Sequence, residues 1–197
     1  MRTVRLLIVL AFLGCAGCGP QAEHQVASTS TPLTAPSLQP PTQGPDINPK
    51  VSYDPCTMIS DAVISKAGYN PATRKRYAGS ADPPTIVLGC EFEDDLHGII
   101  KPKSTLEVAS SNENIDADRK YWNDPPHPNL PVKSITVNGR AGFEMTHYPA
   151  YDCYIYLPTK AGDVAIIWHS IIMDHPNPCD GVLDIAKIIE PTIGENR

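Results

Sequence analysis

Val132-Lys133-Ser134-Ile135-Thr136-Val137-Asn138-Gly139-Arg140-Ala141-Gly142-Phe143-Glu144-Met145 is the stretch that decides the fold. Val132, Ile135 and Val137 lead into Asn138-Gly139, and Arg140 to Met145 lead out. A type I′ turn needs positive φ at both central residues, which Asn-Gly adopts at low steric cost. The stretch therefore reads as a β-hairpin. Cys153 to Leu157 and Val164 to Ile172 form a second strand pair around Thr159-Lys160-Ala161-Gly162. Upstream, Ile86 to Phe92 reads as a strand, and Thr105 to Ala109 alternates apolar and polar residues. Three helical stretches complete the pattern. Met58, Ile59, Ala62, Val63 and Ala67 recur at helical spacing after Asp54-Pro55-Cys56, with Ser60 as a second N-cap and Gly68 as the C′ residue. A polar loop containing Arg74-Lys75-Arg76 follows. Asp116 to Trp122 is a short helix ended by Pro125-Pro126. The last helix has Asn177 as N-cap, Pro178 at N1 and Val182, Ile185, Ala186 and Ile189 on one face. The expected fold is α+β: a mostly antiparallel sheet of about six strands with N- and C-terminal helices packed on it.

Four cysteines lie in this domain, which spans residues 51–197: Cys56, Cys90, Cys153 and Cys179. None forms a Cys-x-x-Cys pair, which argues against a zinc ribbon or a thioredoxin-like centre. In an exported domain an even count implies disulfides, and counting alone leaves three connectivities open. Topology favours one of them. Cys153 starts a strand whose hairpin partner returns beside it, and Cys179 starts the helix just beyond that partner. Cys56 sits at a helix start, with Cys90 on the next strand. The expected pairs are therefore Cys56–Cys90 and Cys153–Cys179, each tying a terminal helix to the sheet.

The first residues read as an address. Arg2 and Arg5 precede an apolar run from Leu6 to Leu13, and Gly14-Cys15-Ala16-Gly17-Cys18 follows. A positive start, a short apolar stretch and small residues describe an export signal, and the run falls short of the ~20 residues of a membrane span. The cysteines after small residues resemble the lipobox of bacterial lipoproteins. Cys18, preceded by Ala16-Gly17, is the favoured lipidation site, with Cys15 the alternative; residues 1–17 would be the signal peptide. Residues 18–50 would be lipid anchor and tether. From Pro20 onward the tether holds seven Pro, seven Ser or Thr and no aromatic residue. Such a composition cannot offset its ordering entropy by burial, so no regular structure and no lasting contact with the domain are expected there.

The chain resembles the actinobacterial lipoprotein family built on domain of unknown function 3558. The shared residues are Asp54-Pro55-Cys56-Thr57, Gly89-Cys90-Glu91-Phe92, Val137-Asn138-Gly139-Arg140-Ala141, Cys153-Tyr154-Ile155 and Asn177-Pro178-Cys179. Phe92 stands where that family often has Trp. The resemblance implies an extracytoplasmic position on the cell membrane. It supplies no reaction.

Composition narrows the functions further. With 16 Lys+Arg against 22 Asp+Glu the net charge is −6, which opposes nucleic-acid binding through counterion release. No Gly-x-Ser-x-Gly, phosphate loop or His-Glu-x-x-His is present. Asp94-Asp95 with His97 reads as a solvated acidic loop, so no metal and no cofactor are implied. His169, Asp174 and His175 converge near one strand end, where His169 reads as a satisfied sheet histidine. Arg74-Lys75-Arg76 reads as a solvated run that anionic lipid could contact. Tyr148, Tyr151, Tyr154 and Tyr156 cluster around Cys153; Tyr154 and Tyr156 share a strand face opposite Cys153 and Ile155 and form the candidate ligand surface. The expected function is a noncatalytic envelope lipoprotein, anchored in the membrane, that binds an envelope component or protein partner. The alternative is an envelope hydrolase with a site near His169 and His175.

Overall fold

Seven strands form one sheet in the order β1-β2-β3-β7-β6-β5-β4, every neighbouring pair antiparallel. They are β1 Tyr69–Gly79, β2 Val87–Asp94, β3 Ser104–Ser111, β4 Lys133–Val137, β5 Arg140–Met145, β6 Asp152–Pro158 and β7 Asp163–Ser170. This is a computed structural model, and it describes residues 31–79, 84–94, 104–124, 131–148, 151–170 and 177–194. The Asn138-Gly139 turn closes β4 on β5 with φ of 49° and 91°, the left-handed pair that its residues make accessible.

Two meanders build the sheet. β1, β2 and β3 follow one another; β4 to β7 follow one another in the second, and β7 returns beside β3. The chain must therefore cross from the middle of the sheet to its far edge between β3 and β4. That distance is four strand spacings, roughly 19 Å. Helix α3, Ile115–Asn123, makes this crossing, and it packs against β6. The other helices, α1 Pro55–Met58, α2 Asp61–Lys66 and α4 Val182–Ile189, lie on the opposite face.

Strand alternation assigns each side chain to a face. Cys90 and Phe92, Leu106 and Val108, Val164 and Ile166, and Cys153, Ile155 and Leu157 meet α1, α2 and α4 in the main core. Most are fully buried, and burial of each large apolar side chain is worth about 1.5–3 kcal/mol. Phe143, Met145, Tyr156, Ala165 and Ile167 point the other way, into a smaller cluster with Ile115 and Trp122 of α3. The disulfides Cys56–Cys90 and Cys153–Cys179, each with Cα atoms 5.0 Å apart, fasten the N-terminal helices to β2 and the approach to α4 to β6.

The structure corrects four expectations. Seven strands are present instead of six, because the run Arg74-Lys75-Arg76 lies in β1 and not in a loop. Arg74 and Arg76 face the main core, where Arg74 bonds Asp61 at 2.7 Å and Arg76 bonds Asp54 at 2.5 Å. Those pairings consume both charges, so Lys75 alone of the three is exposed and the run offers no basic patch to lipid. The stretch after Asp54 is two short helices, since Ile59 turns extended and Ser60 caps a second start by accepting from the Val63 N–H. The C-terminal helix begins at Val182. Asn177 instead closes a turn by accepting from the Cys179 N–H, and Gly181 with φ 83° breaks the path between them. Finally, residues 31–50 do touch the domain. Pro36–Leu38 form a 3-10 turn whose Leu38 is 2% exposed within the main core. Its carbonyl accepts from Arg76, and the Gln43 side chain pairs both backbone groups of Val51. Leu38, the bonds from Arg76 and the Gln43–Val51 pair together hold a segment that composition alone marks as unstructured.

Candidate functional site

Only part of the second sheet face lies under α3. Beyond it, the register sets Lys75, Glu91, Glu107, Ile167, Tyr154 and Met145 in one row across the sheet. His169, paired with Thr105 and Asp152, lies in the adjacent row. Among the described residues no helix covers the β1–β2–β3 part of this face.

The tyrosines form its wall. Tyr154 and Tyr156, alternate residues of β6, stack at 6.4 Å with planes 10° apart. Trp122 of α3 closes on both: its indole N–H donates to the Tyr156 hydroxyl at 3.2 Å, and its ring lies 6.1 Å from Tyr154. His147 sits 5.4 Å from Trp122 and 4.1 Å from Tyr148. His169 meets Tyr154 edge-on at 5.9 Å. Tyr148, Tyr151, Asp152, Tyr154, His169 and Ser170 enclose a shallow depression of about 400 Å³. Its floor is held by Asp152, which is 2% exposed and accepts from the His147 and Tyr148 backbone N–H groups at 2.8 and 2.9 Å.

Beside this depression, Glu107 links two groups. The Tyr77 hydroxyl donates to its Oε2 at 3.1 Å, and His169 Nε2 lies 3.6 Å from its Oε1. The Tyr77 ring lies over Gly89, where a Cβ would run into it, so glycine is required for this packing. Burial, then the neighbouring Glu107, raises the Tyr77 hydroxyl well above its usual range. Burial also raises Tyr154, reinforced by Asp152 and Glu107.

A second titratable feature lies under α3. Asp163 is 2% exposed, and the Oδ2 atoms of Asp163 and Asp118 are both buried without a hydrogen-bond partner. Desolvation, then Asp118, then Glu113 raise the Asp163 carboxyl from 3.8 to about 10, against a lowering by Ser111. Burial beside Asp118 therefore favours the neutral form of the Asp163 carboxyl. The raised group favours the folded state fully below pH ~4, and that contribution is lost progressively as pH rises toward 10. Asp163→Asn supplies the missing donor permanently. We expect it to raise stability by about 1–3 kcal/mol at pH 8, with a smaller gain at pH 4, measured as urea midpoints at the two pH values. An equal gain at both would dismiss the raised Asp163 carboxyl.

The residues singled out in the sequence are distributed as follows. Tyr148, Tyr151, Tyr154 and His169 converge on one depression, and Tyr156 joins them from beneath. His169 faces away from Trp168, which belongs with the main core. Asp94 is bonded by Ser104 and takes no part. Asp95, His97, Asp174 and His175, like Cys15 and Cys18, lie outside the described residues. Sequence reasoning missed Glu107, Tyr77 and Trp122. The alternation of Thr105, Glu107 and Ala109 shows which residues share a face, but only cross-strand register brings Glu107 to His169.

Of the residues that carry the family resemblance, Tyr154 lines the depression, and the others with a visible role are structural. Asp54 caps α1 and pairs Arg76, Gly89 seats Tyr77, and Asn138 and Arg140 bind the end of α4. The family model described as "Protein of unknown function (DUF3558)" matches residues 13–192. No curated protein and no solved structure matches the chain.

Proposed function

Because the chain belongs to the DUF3558 family, which is described only as of unknown function, we propose a role from its own residues: a lipid-anchored envelope protein that binds a ligand without transforming it. The observation that carries the binding reading is the depression walled by Tyr148, Tyr151 and Tyr154. Tyrosines present large contact area at small entropy cost and combine a flat apolar face with a polar tip. Tyr148 is 60% and Tyr151 38% exposed, so the wall opens to solvent. The His169–Glu107 approach supports a second reading, a hydrolase in which Glu107 orients the imidazole as general base. A thermal-shift screen of envelope extracts, followed by mass spectrometry of the retained compound, separates the two. A ligand recovered unchanged supports binding. A ligand converted by the natural chain but not by His169→Ala overturns it in favour of catalysis.

The anchor rests on the sequence of the first residues. Among the described residues no helix is long and apolar enough to cross a membrane. Lipidation of Cys18 by two or three chains would hold the protein stably, whereas a single chain would not. We expect mass spectrometry of the membrane fraction to show an acylated N-terminal Cys18, and Cys18→Ala to move the protein out of that fraction. An unmodified amino terminus in the culture fluid would exclude the anchor; lipidation at Cys15 would move only its site.

A further inference from the structure

We propose that the tyrosine-walled depression takes a cationic nitrogen group, an organic ammonium seated against the face of Tyr154. The inference rests on the binding reading above and names its ligand class. Three features of the site point the same way. First, the lining presents three tyrosine rings and an imidazole; aromatic faces carry negative potential and attract ammonium groups within about 6 Å of the ring centre. Second, the nearer charges are acidic, since Lys75 at the far end of the row lies four strands from Tyr154 and Glu107 only two. Asp152 lies at the floor, and Glu107 stands in the same cross-sheet row as Tyr154. The two N–H groups that Asp152 binds are neutral backbone donors, so its negative charge is not cancelled by them. Both carboxylates act on the Tyr154 hydroxyl and disfavour its ionisation, the direction expected of a field that welcomes a cation. Third, among the described residues the lining contains no Lys or Arg. Arg119, which contacts the neighbouring apolar cluster, is held over Phe143 at 4.8 Å. A carboxylate or phosphate ligand would meet repulsion here, and a neutral one would leave the field unused.

The test uses the full chain and two probes of nearly the same shape, choline and its uncharged isostere 3,3-dimethylbutan-1-ol, titrated by ligand-observed NMR or calorimetry. Choline should bind about tenfold more tightly than the alcohol. Tyr154→Phe keeps the ring and should retain choline binding. Tyr154→Leu should lose about tenfold, with its thermal transition checked so that misfolding is not mistaken for lost contact. Glu107→Gln should weaken choline several-fold and leave the alcohol unchanged. Equal binding of the two probes overturns the cation inference while leaving a binding face. Failure of choline to bind also overturns it, and a parallel titration with the alcohol and with maltose then reads whether the face binds uncharged ligands. Retention of choline by Tyr154→Leu removes the assignment to this depression.

Discussion

Arg140→Ala is expected to destabilise the domain by about 3–5 kcal/mol, a large share of the ~5–15 kcal/mol that holds a domain folded. Arg140 is 2% exposed, and its guanidinium serves three acceptors at once. Its Nε donates to Glu190 Oε1 at 2.8 Å, one Nη donates to the Pro158 carbonyl at 2.7 Å, and the other donates to the Gly194 carbonyl. The Glu190 side chain is 10% exposed, so the substitution strands a carboxylate and two carbonyls where water reaches them poorly. The neighbouring Asn138 donates to the Lys187 carbonyl and to Glu190 Oε2, and neither bond replaces a positive charge. The double change Arg140→Met with Glu190→Met should recover much of the loss, because it removes both charges in place of one. Denaturant midpoints of the two variants decide the matter. A loss below about 1 kcal/mol in the single variant would mean that water already reaches this pair.

The second large effect concerns Cys153→Ala. Cys153 is fully buried on β6, and its bond to Cys179 closes a loop 26 residues in separation. We expect a loss of about 2–5 kcal/mol and a free thiol at Cys179, countable with a thiol reagent. Cys56→Ala should cost a similar amount, since Cys56–Cys90 spans 34 residues. The two losses should nearly add. β3 and β7 separate β2 from β6, which puts the bridges roughly 14 Å apart, beyond the range at which neighbouring sites couple strongly. Peptide mapping that found Cys56 joined to Cys179 would contradict this arrangement, and strongly non-additive losses would contradict the independence.

Local chemistry made much of the fold legible. Asn138-Gly139 demanded a hairpin because few residue pairs accept its dihedral angles. Alternation in β6 placed Tyr154 and Tyr156 on one face and Cys153 and Ile155 on the other, because a strand turns its side chains over at every residue. The order of strands and helices also made a sequential disulfide pairing the economical one. β1 was concealed for a definable reason. Beyond Tyr69 its inward positions include Arg74 and Arg76, which carry no apolar signature and which face inward with Asp61 and Asp54 as partners. Leu38 was concealed in the same way, as one apolar residue in a proline-rich run whose partners lie far along the chain.

The export-like amino terminus, the acidic balance, the hairpin and the four domain cysteines are properties of short stretches or of counts, so the sequence by itself determined those readings. The candidate site is different in kind. Glu107, Tyr154 and His169 come from three strands, and Trp122 from a helix that must cross the sheet to join the two meanders. Nothing within a few residues of any of them encodes that meeting. It follows from the register between β3, β7 and β6, and that register is set by which faces bury against α1, α2 and α4. A slip of one residue would turn every side chain to the wrong face, so the tertiary core, through the apolar surface it removes from water, decided where the tyrosines and carboxylates face each other.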